Sequence, residues 1–131
     1  MQPLLTATLG HPVVAVRIPM RTGRGQNDRE HHMNRSKRVK RERWAVGMVL
    51  NTHKAVALPC AVLLMRCSPS KNRLDDDNLL GALKGVRDEV ARWLGVDDAD
   101  ERVTWVYGQE HSREWAVVVM AQADEGKVVL Q

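Results

Sequence analysis

Three consecutive aspartates, Asp75 to Asp77, stand between an apolar run and a long amphipathic pattern. At neutral pH each carboxylate raises the free energy of its neighbours, and no basic residue within the triplet offsets that repulsion. The apolar run before it, Ala61 to Met65, predicts a strand covered on both faces. The pattern after it predicts a helix. A carboxylate cluster at such a strand-to-helix junction is a position where a hard divalent cation would be bound.

The aspartate triplet admits two interpretations. If its residues are extended, alternation places Asp75 and Asp77 on one face, so that two carboxylates converge as oxygen-only coordination of a cation requires. Alternatively, the triplet is a solvated acidic turn in which Asp76 or Asp77 caps the helix and stabilises its dipole. The triplet by itself does not decide between a metal site and a cap.

The net charge of this 131-residue chain changes sign at the triplet. Residues 1–74 hold 14 Lys or Arg against 3 Asp or Glu, which gives +11. Residues 75–131 hold 6 against 13, which gives −7, and the two values sum to the net +4. Such asymmetry suggests a polyanion-binding half and a cation-binding half. The length predicts a single domain over residues 1–131 with one core.

The patterns along the chain predict the order β-α-β-α-β-β, a small mixed α/β or α+β domain. We expect a first strand over 11–18, a loop over 20–35, and a helix that Ser36 caps and that runs to about Leu50. Trp44 on that helix is expected in the core or at its rim. Each of these expectations rests on turn residues and apolar spacing.

The helix after the aspartates has the most regular apolar stripe in the chain. It is expected to end before Gly95, where a left-handed C′ residue is wanted. Strands are expected over 103–107 and from Trp115 to Ala121, joined by a turn over 108–113. The stripe of the helix consists of Leu79, Leu83, Val86, Val90 and Trp93.

Basic residues concentrate in the loop over 20–35 and in the first turns of the helix that follows. A solvated charged face is the simpler explanation of a basic helix. Because loop and helix are both basic, a continuous phosphate-binding surface is the better interpretation. The residues expected to bind nucleic-acid phosphates are Arg29, Arg35, Lys37, Arg38, Lys40, Arg41 and, just before the aspartates, Arg73.

Several other classes of protein are not supported. Cys60 and Cys67 are expected to be buried thiols in a reducing compartment, not a disulfide or a metal pair. No apolar run approaches the ~20 residues of a membrane span, and the first residues lack the pattern of a secretory signal. We therefore expect a cytoplasmic protein without a membrane partner. His31, His32 and His53 lack the spacing of a histidine metal site.

A second acidic cluster, Asp97-Asp98, follows the helix. That helix would be about 27 Å long at ~1.5 Å per residue, so a straight helix ended by the acidic turn would keep the two clusters apart. They meet only if the turn after Gly95 or the next strand folds back along the helix, or if a second subunit brings them together. The sequence leaves these alternatives open.

Two motifs flank the helix that follows the aspartates. The first is Leu74-Asp75-Asp76-Asp77-Asn78-Leu79, and the second, before a valine-rich strand, is Leu94-Gly95-Val96-Asp97-Asp98. Together with the helix, these motifs resemble those of the RusA-type Holliday-junction resolvases of bacteria and their phages. The motif-bearing match covers residues 73–107, and the upstream strand, basic loop and helix agree in order. The resemblance implies a RusA-like fold and a homodimeric endodeoxyribonuclease that depends on Mg²⁺, or Mn²⁺ in its place. Such an enzyme resolves branched DNA, the four-way junction, by paired nicks in recombination and repair. It would have a basic DNA-binding half over about 1–74 and an acidic metal-site half over about 75–131.

The resemblance also implies roles for particular residues. Asp75, Asp77 and Asp98 would be the catalytic metal ligands, and Asn78 would orient the site. The family usually has a lysine four residues after its second aspartate, where this chain has Gly81. Lys84, about one turn further along, is expected to supply that charge as a catalytic residue.

The alternative function is a non-catalytic basic DNA-binding protein in which the triplet only caps a helix. The chain offers no motif for a Ser-His-Asp or Cys-His site and no phosphate-binding glycine loop. Magnesium-dependent cleavage therefore separates the two functions that remain.

Overall fold

The computed structural model describes residues 14–23 and 32–123, which form a four-stranded mixed sheet and three helices. Arg29, in the predicted basic loop, and His31 lie outside the described residues. So do residues 11–13 and the tail from Asp124. The strands are β1 (Val14–Ile18), β2 (Cys60–Ser68), β3 (Val103–His111) and β4 (Ala116–Ala123). The helices are α1 (His32–Leu50), α2 (Asp76–Ala82) and α3 (Lys84–Leu94).

The sheet has the order β1-β4-β2-β3. Strand β4 is antiparallel to both β1 and β2, whereas β2 and β3 run parallel and are joined through α2 and α3. All nine residues of β2 are buried, as its apolar sequence predicts for a central strand. The predicted small mixed α and β domain is confirmed, with its second helix divided in two.

The helices cover one face of the sheet and form the main core there. Fully buried side chains from the sheet meet the apolar stripes of α1 and of the α2–α3 segment. Each such side chain contributes roughly 1.5–3 kcal/mol to stability by leaving water. The opposite face of the sheet carries a second buried apolar cluster, which includes Leu63, Met65 and Cys67. Cys60 and Cys67 are both buried and are not joined in a disulfide, as predicted.

Helices α1 and α3 cross closely because each presents a glycine to the other. A Cβ on Gly47 would lie 2.8 Å from Glu89 Oε2, and one on Gly85 would lie 3.2 Å from Val39 Cγ1. The buried carboxylate of Glu89 accepts hydrogen bonds from Arg43 Nε at 3.3 Å and from Arg92 Nε. The crossing therefore positions α1 through a charged contact as well as an apolar one.

The predicted start of α1 was wrong. The helix begins at His32, and Ser36 is an exposed residue within it. No glycine or proline interrupts residues 32–35, so nothing prevents the helix from extending back. The expected placement of Trp44 was also wrong: it is 69 % exposed because it lies opposite the stripe of Val46 and Leu50. None of the described helices is long and apolar enough to cross a membrane.

The predicted single helix after the aspartates is divided at Leu83, whose backbone angles, φ −101° and ψ 7°, leave the helical region. Gly81, two residues earlier, weakens a helix interior by about 1 kcal/mol relative to alanine. Leu83 is fully buried, so the apolar stripe continues across the break. The apolar spacing in the sequence therefore gives no sign that the helix is interrupted. The expected left-handed end at Gly95 is confirmed by its φ of 79°.

Strand β3 extends further than predicted. Gly108 was expected to begin a turn, but it is a buried strand residue paired with Met65. The polar residues that follow it also stay in the strand and pair with the end of β2, up to Ser68 beside His111. This polar continuation of an edge strand looks like a turn in the sequence because it breaks the apolar alternation.

Candidate functional site

The aspartate triplet begins α2, and Asp75 is its N-cap. Asp75 Oδ1 accepts a hydrogen bond from the backbone N–H of Asn78 at 2.8 Å. Asp76 and Asp77 belong to the first helical turn, and all three carboxylates are exposed. The expectation of an extended triplet was therefore wrong, and so was a cap at Asp76 or Asp77. A helix start suits three carboxylates because the dipole and free N–H groups stabilise negative charge there.

Gln109 on β3 anchors the residue just before the triplet. Its Oε1 accepts from the Leu74 amide at 3.0 Å, and its Nε2 donates to the Leu74 carbonyl at 2.7 Å. This pair of bonds fixes the backbone of the acidic turn near the carboxyl ends of the parallel strands β2 and β3. In open α/β sheets that edge is where ligands bind.

The second acidic cluster folds back along α3 towards its first residue. Lys84 Nζ lies 2.8 Å from Asp98 Oδ2 and 2.9 Å from Asp88 Oδ1. The Lys84 ammonium, which donates to Asp98 Oδ2, is the first cause that holds the pKa of Asp98 below its usual range. The same contacts, led by that to Asp98, raise the pKa of Lys84. The sequence left open which segment, if any, folds back along the helix. In the structure it is the turn after Gly95 that does so.

Arg87 connects the second cluster to β3. It donates to the Asp98 carbonyl at 2.6 Å and to the Tyr107 hydroxyl at 2.9 Å, and its guanidinium lies 4.6 Å from the ring centroid of Trp105. Tyr107 and Gln109 are two residues apart in the strand, so their side chains lie on the same face of β3, about 7 Å apart. One face of β3 thus carries contacts to both acidic clusters.

Sequence reasoning missed Arg87, Tyr107 and Gln109. Tyr107 was assigned only to a strand, and Gln109 to a turn. The signal that could have found Tyr107 and Gln109 is the alternation along the strand, which places both polar side chains on the same face as Trp105. Nothing in the sequence indicates which loop they would contact.

The expected metal ligands are only partly brought together. Asp75 and Asp77 share one exposed turn, whereas Asp98 is paired with Lys84. Residues 14–23 and 32–123 contain no group of three His, Cys, Asp or Glu side chains that could hold a metal ion. Mg²⁺ is often held by one or two carboxylates and several waters. Asp77 lies in the first turn of α2 and Asp75 is its N-cap, and side chains two residues apart in a helix do not face each other, so the turn does not by itself bring the two carboxylates together. Asn78, the expected orienting residue, is buried beneath the turn.

Most of the expected phosphate-binding residues lie on the solvent side of α1. Arg38 is half-buried, since it pairs with Glu42 at 2.8 Å and packs against Gly23, where a Cβ would meet its Cζ at 2.7 Å. This contact places the first half of α1 beside the segment that follows β1. The exposed members of the predicted surface are Arg35, Lys37, Lys40, Arg41 and Arg73.

A pocket of about 130 Å³ lies beside the acidic turn, at the carboxyl ends of β2 and β3. Its lining includes the buried Arg66 and the loop that leads from β2 to the triplet. Arg66 donates from Nε to Thr22 Oγ1 at 3.1 Å and lies 5.1 Å from the ring centroid of Trp115. Arg21 lies 4.9 Å from the same centroid.

A scan against protein-family models and a search of curated proteins both found no match to this chain. The resemblance to the RusA-type resolvases therefore rests on the motif residues and their order along the chain.

Proposed function

We propose that this protein is a magnesium-dependent, structure-selective DNA endonuclease of the RusA type, which resolves four-way junctions by paired nicks. The observation that carries the proposal is the position of the acidic turn. Asp75 and Asp77 begin α2 at the ligand-binding edge of a parallel strand pair, and Gln109 fixes the preceding backbone. The strong basicity of residues 1–74 supports a polyanionic substrate.

The exposed carboxylates of Asp75 and Asp77 are the proposed metal ligands. Asp75 keeps Oδ2 for a cation while Oδ1 caps the helix. A bound magnesium ion would activate water and stabilise charge on the phosphodiester oxygens. Asp98 joins this group only if it exchanges its ion pair with Lys84 for the cation, a change that would leave the ammonium paired with Asp88 alone and able to contact a DNA phosphate. Lys84 is thus proposed to contact DNA only when Asp98 binds the metal ion.

Paired nicking requires two acidic sites related by symmetry, and one chain offers one. We therefore propose a twofold dimer, the economical arrangement for a symmetric four-way junction. Light scattering at micromolar concentration should give about twice the chain mass of 14.8 kDa. A monomer that still makes paired nicks would contradict the dimer while leaving nuclease activity intact.

Cleavage of labelled DNA tests the function directly. With Mg²⁺ the wild-type protein should nick a four-way junction at symmetry-related positions and leave a linear duplex of the same sequence intact. With EDTA it should bind the junction without cutting it. Binding without cleavage under all metal conditions would reject the endonuclease.

One observation favours the alternative, a non-catalytic DNA-binding protein. The hydrogen bond from the Asn78 amide to Asp75 Oδ1 gives the triplet a structural role that needs no metal. In that case the basic surface makes every functional contact, and replacing Asp77 by asparagine leaves DNA binding and stability near wild type.

A further inference from the structure

Arg66 is a charged side chain placed where charge is costly. It is 3 % exposed within the central strand β2, yet its one described hydrogen bond is to the neutral Thr22 hydroxyl. It forms no ion pair with a carboxylate among the described residues. Buried guanidinium groups are normally paired with an anion, because removing an ion from water costs several kcal/mol.

The surroundings of Arg66 offset only part of that cost. The Trp115 ring stabilises the guanidinium through a cation–π contact at 5.1 Å. Arg21, however, shares the same ring, and its charge adds to burial in lowering the pKa of Arg66. Two guanidinium groups on one indole need an anion between or beside them more than a single one does. Among the described residues no carboxylate forms an ion pair with Arg66, and the carboxylate in the same pocket, that of Glu110, is not bonded to it.

Arg66 lines a pocket whose other lining residues are typical of an anion-binding site. The end of β2 and the loop after it contribute hydroxyl and cationic groups, namely Ser68, Ser70, Lys71 and Arg73, and the end of β3 contributes the imidazole of His111. Three cations and one carboxylate, Glu110, line it, for a net charge of +2 with histidine neutral. Its volume of about 130 Å³ is large enough for one phosphate group and its water.

We propose that this pocket is a phosphate-binding site in which the buried Arg66 is the floor and Lys71 and Arg73 form the rim. Guanidinium groups bind phosphate through paired, charge-assisted hydrogen bonds, and serine hydroxyls complete such sites. The site lies beside the acidic turn, since Arg73 is two residues before Asp75. If the proposed function holds, the phosphate is a DNA phosphodiester near the one that is cut; otherwise it belongs to a free phosphate or phosphomonoester.

Inorganic phosphate is the probe, added to the whole chain in magnesium-free buffer with ionic strength held constant by chloride. Phosphate should raise the melting temperature of the wild type saturably by mass action. In Arg66→Met the rise should vanish, and in Lys71→Met the phosphate affinity should fall about ten- to a hundredfold. Lys54→Met, an exposed lysine in the loop before β2, is the matched control and should behave as wild type. Glu110→Gln should bind phosphate more tightly, because it removes the one carboxylate in the lining.

Equal stabilisation by phosphate in wild type and Arg66→Met would overturn the proposal, as would a wild type that phosphate stabilises no more than chloride does. If Arg66→Met does not fold, Lys71→Met and Arg73→Met decide, since both residues are exposed. Unchanged phosphate affinity in both would then reject the site.

Junction DNA without magnesium identifies the source of the phosphate. Weaker junction binding by Lys71→Met than by Lys54→Met assigns the pocket to a DNA phosphodiester. Equal junction binding, with phosphate affinity still lost in Lys71→Met, assigns it to a free phosphate or phosphomonoester. Neither measurement involves cleavage, so the site and the endonuclease function can fail separately.

Discussion

Asp75 has two oxygens with different tasks. Oδ1 accepts the Asn78 amide and caps α2, while Oδ2 is proposed to face a cation. Asn caps a helix as well as Asp does, but it lacks the charge that a metal requires. The two roles of this residue can therefore be separated by substitution.

We predict that Asp75→Ala lowers the free energy of unfolding by about 1 kcal/mol, because the cap is lost. Asp75→Asn should keep the wild-type stability to within a few tenths of a kcal/mol. Chemical denaturation measures both values. Cleavage should be lost in both variants if Asp75 binds the metal, whereas full cleavage by Asp75→Asn would leave this residue with its cap alone.

The ion pair between Lys84 and Asp98 makes a prediction about pH. The lowered pKa of Asp98 means that the pair stabilises the fold above pH 3.8 and that this contribution is lost as the pH falls through the folded-state pKa. On the alkaline side, the raised pKa of Lys84 means that the contribution is complete below pH 10.5 and is lost as the pH rises through the raised folded-state pKa. The pair is therefore intact across the neutral range.

We predict that Lys84→Met raises the pKa of the Asp98 carboxyl towards its ordinary value, because the first contributor to the shift is removed. A carbon-detected NMR titration of the side-chain carboxyls measures this. Asp100, whose pKa Arg102 lowers to about 2, is the internal control and should not move. An unmoved Asp98 would show that Lys84 does not hold it in solution.

At the scale of elements, the contact of α1 with α3 depends on Gly47. Alanine there would gain about 1 kcal/mol of helix propensity. Its Cβ, however, would lie 2.8 Å from Glu89 Oε2, a buried oxygen that two arginines hold in place. Displacing a buried, paired carboxylate costs more than the propensity returns.

We therefore predict that Gly47→Ala lowers the free energy of unfolding by about 1–2 kcal/mol. Thermal or urea denaturation provides the measurement. Ser36→Ala, at an exposed position of the same helix, is the control and should change little. A Gly47→Ala protein more stable than wild type would mean that the two helices can move apart at this crossing.

Elements with strong periodicity were predictable from the sequence, and their interruptions were not. The stripe from Leu79 to Trp93 and the buried β2 follow from apolar spacing alone. The break at Leu83 was hidden because the residue stays buried on both sides of it. The contact of Gln109 with Leu74 was unpredictable for a different reason: it joins residues 35 apart, and only the parallel pairing of β2 with β3 brings them together.

In the molecule as a whole, some of the basic residues that create the charge asymmetry of the sequence are paired with carboxylates within the fold. Arg38 is paired with Glu42, and Arg43 and Arg92 are paired with Glu89. Lys37 and Lys40 remain exposed on α1 and are the better candidates for phosphate contacts. The folded structure thus divides the basic helix into residues that are paired with carboxylates and residues that are exposed, and the exposed ones are the proposed DNA contacts.

We predict that replacing Lys37 and Lys40 together by alanine flattens the dependence of log affinity on log salt by roughly one to two units. Junction binding at several ionic strengths provides the slope. Lys54→Ala should leave the slope unchanged. A double variant with the wild-type slope would remove α1 from the DNA interface.

The acidic turn is proposed to bind a catalytic metal and thus to be more than a helix cap. The most direct test is the magnesium-dependent cleavage rate of a four-way junction by Asp77→Asn, with Asp76→Asn as its matched control. Both substitutions remove one charge from the same exposed turn. We predict that Asp77→Asn loses at least about a hundredfold in rate with junction binding retained, while Asp76→Asn cuts almost normally. Cleavage by Asp77→Asn at the wild-type rate would rule out Asp77 as a metal ligand and leave the triplet as the start of a helix.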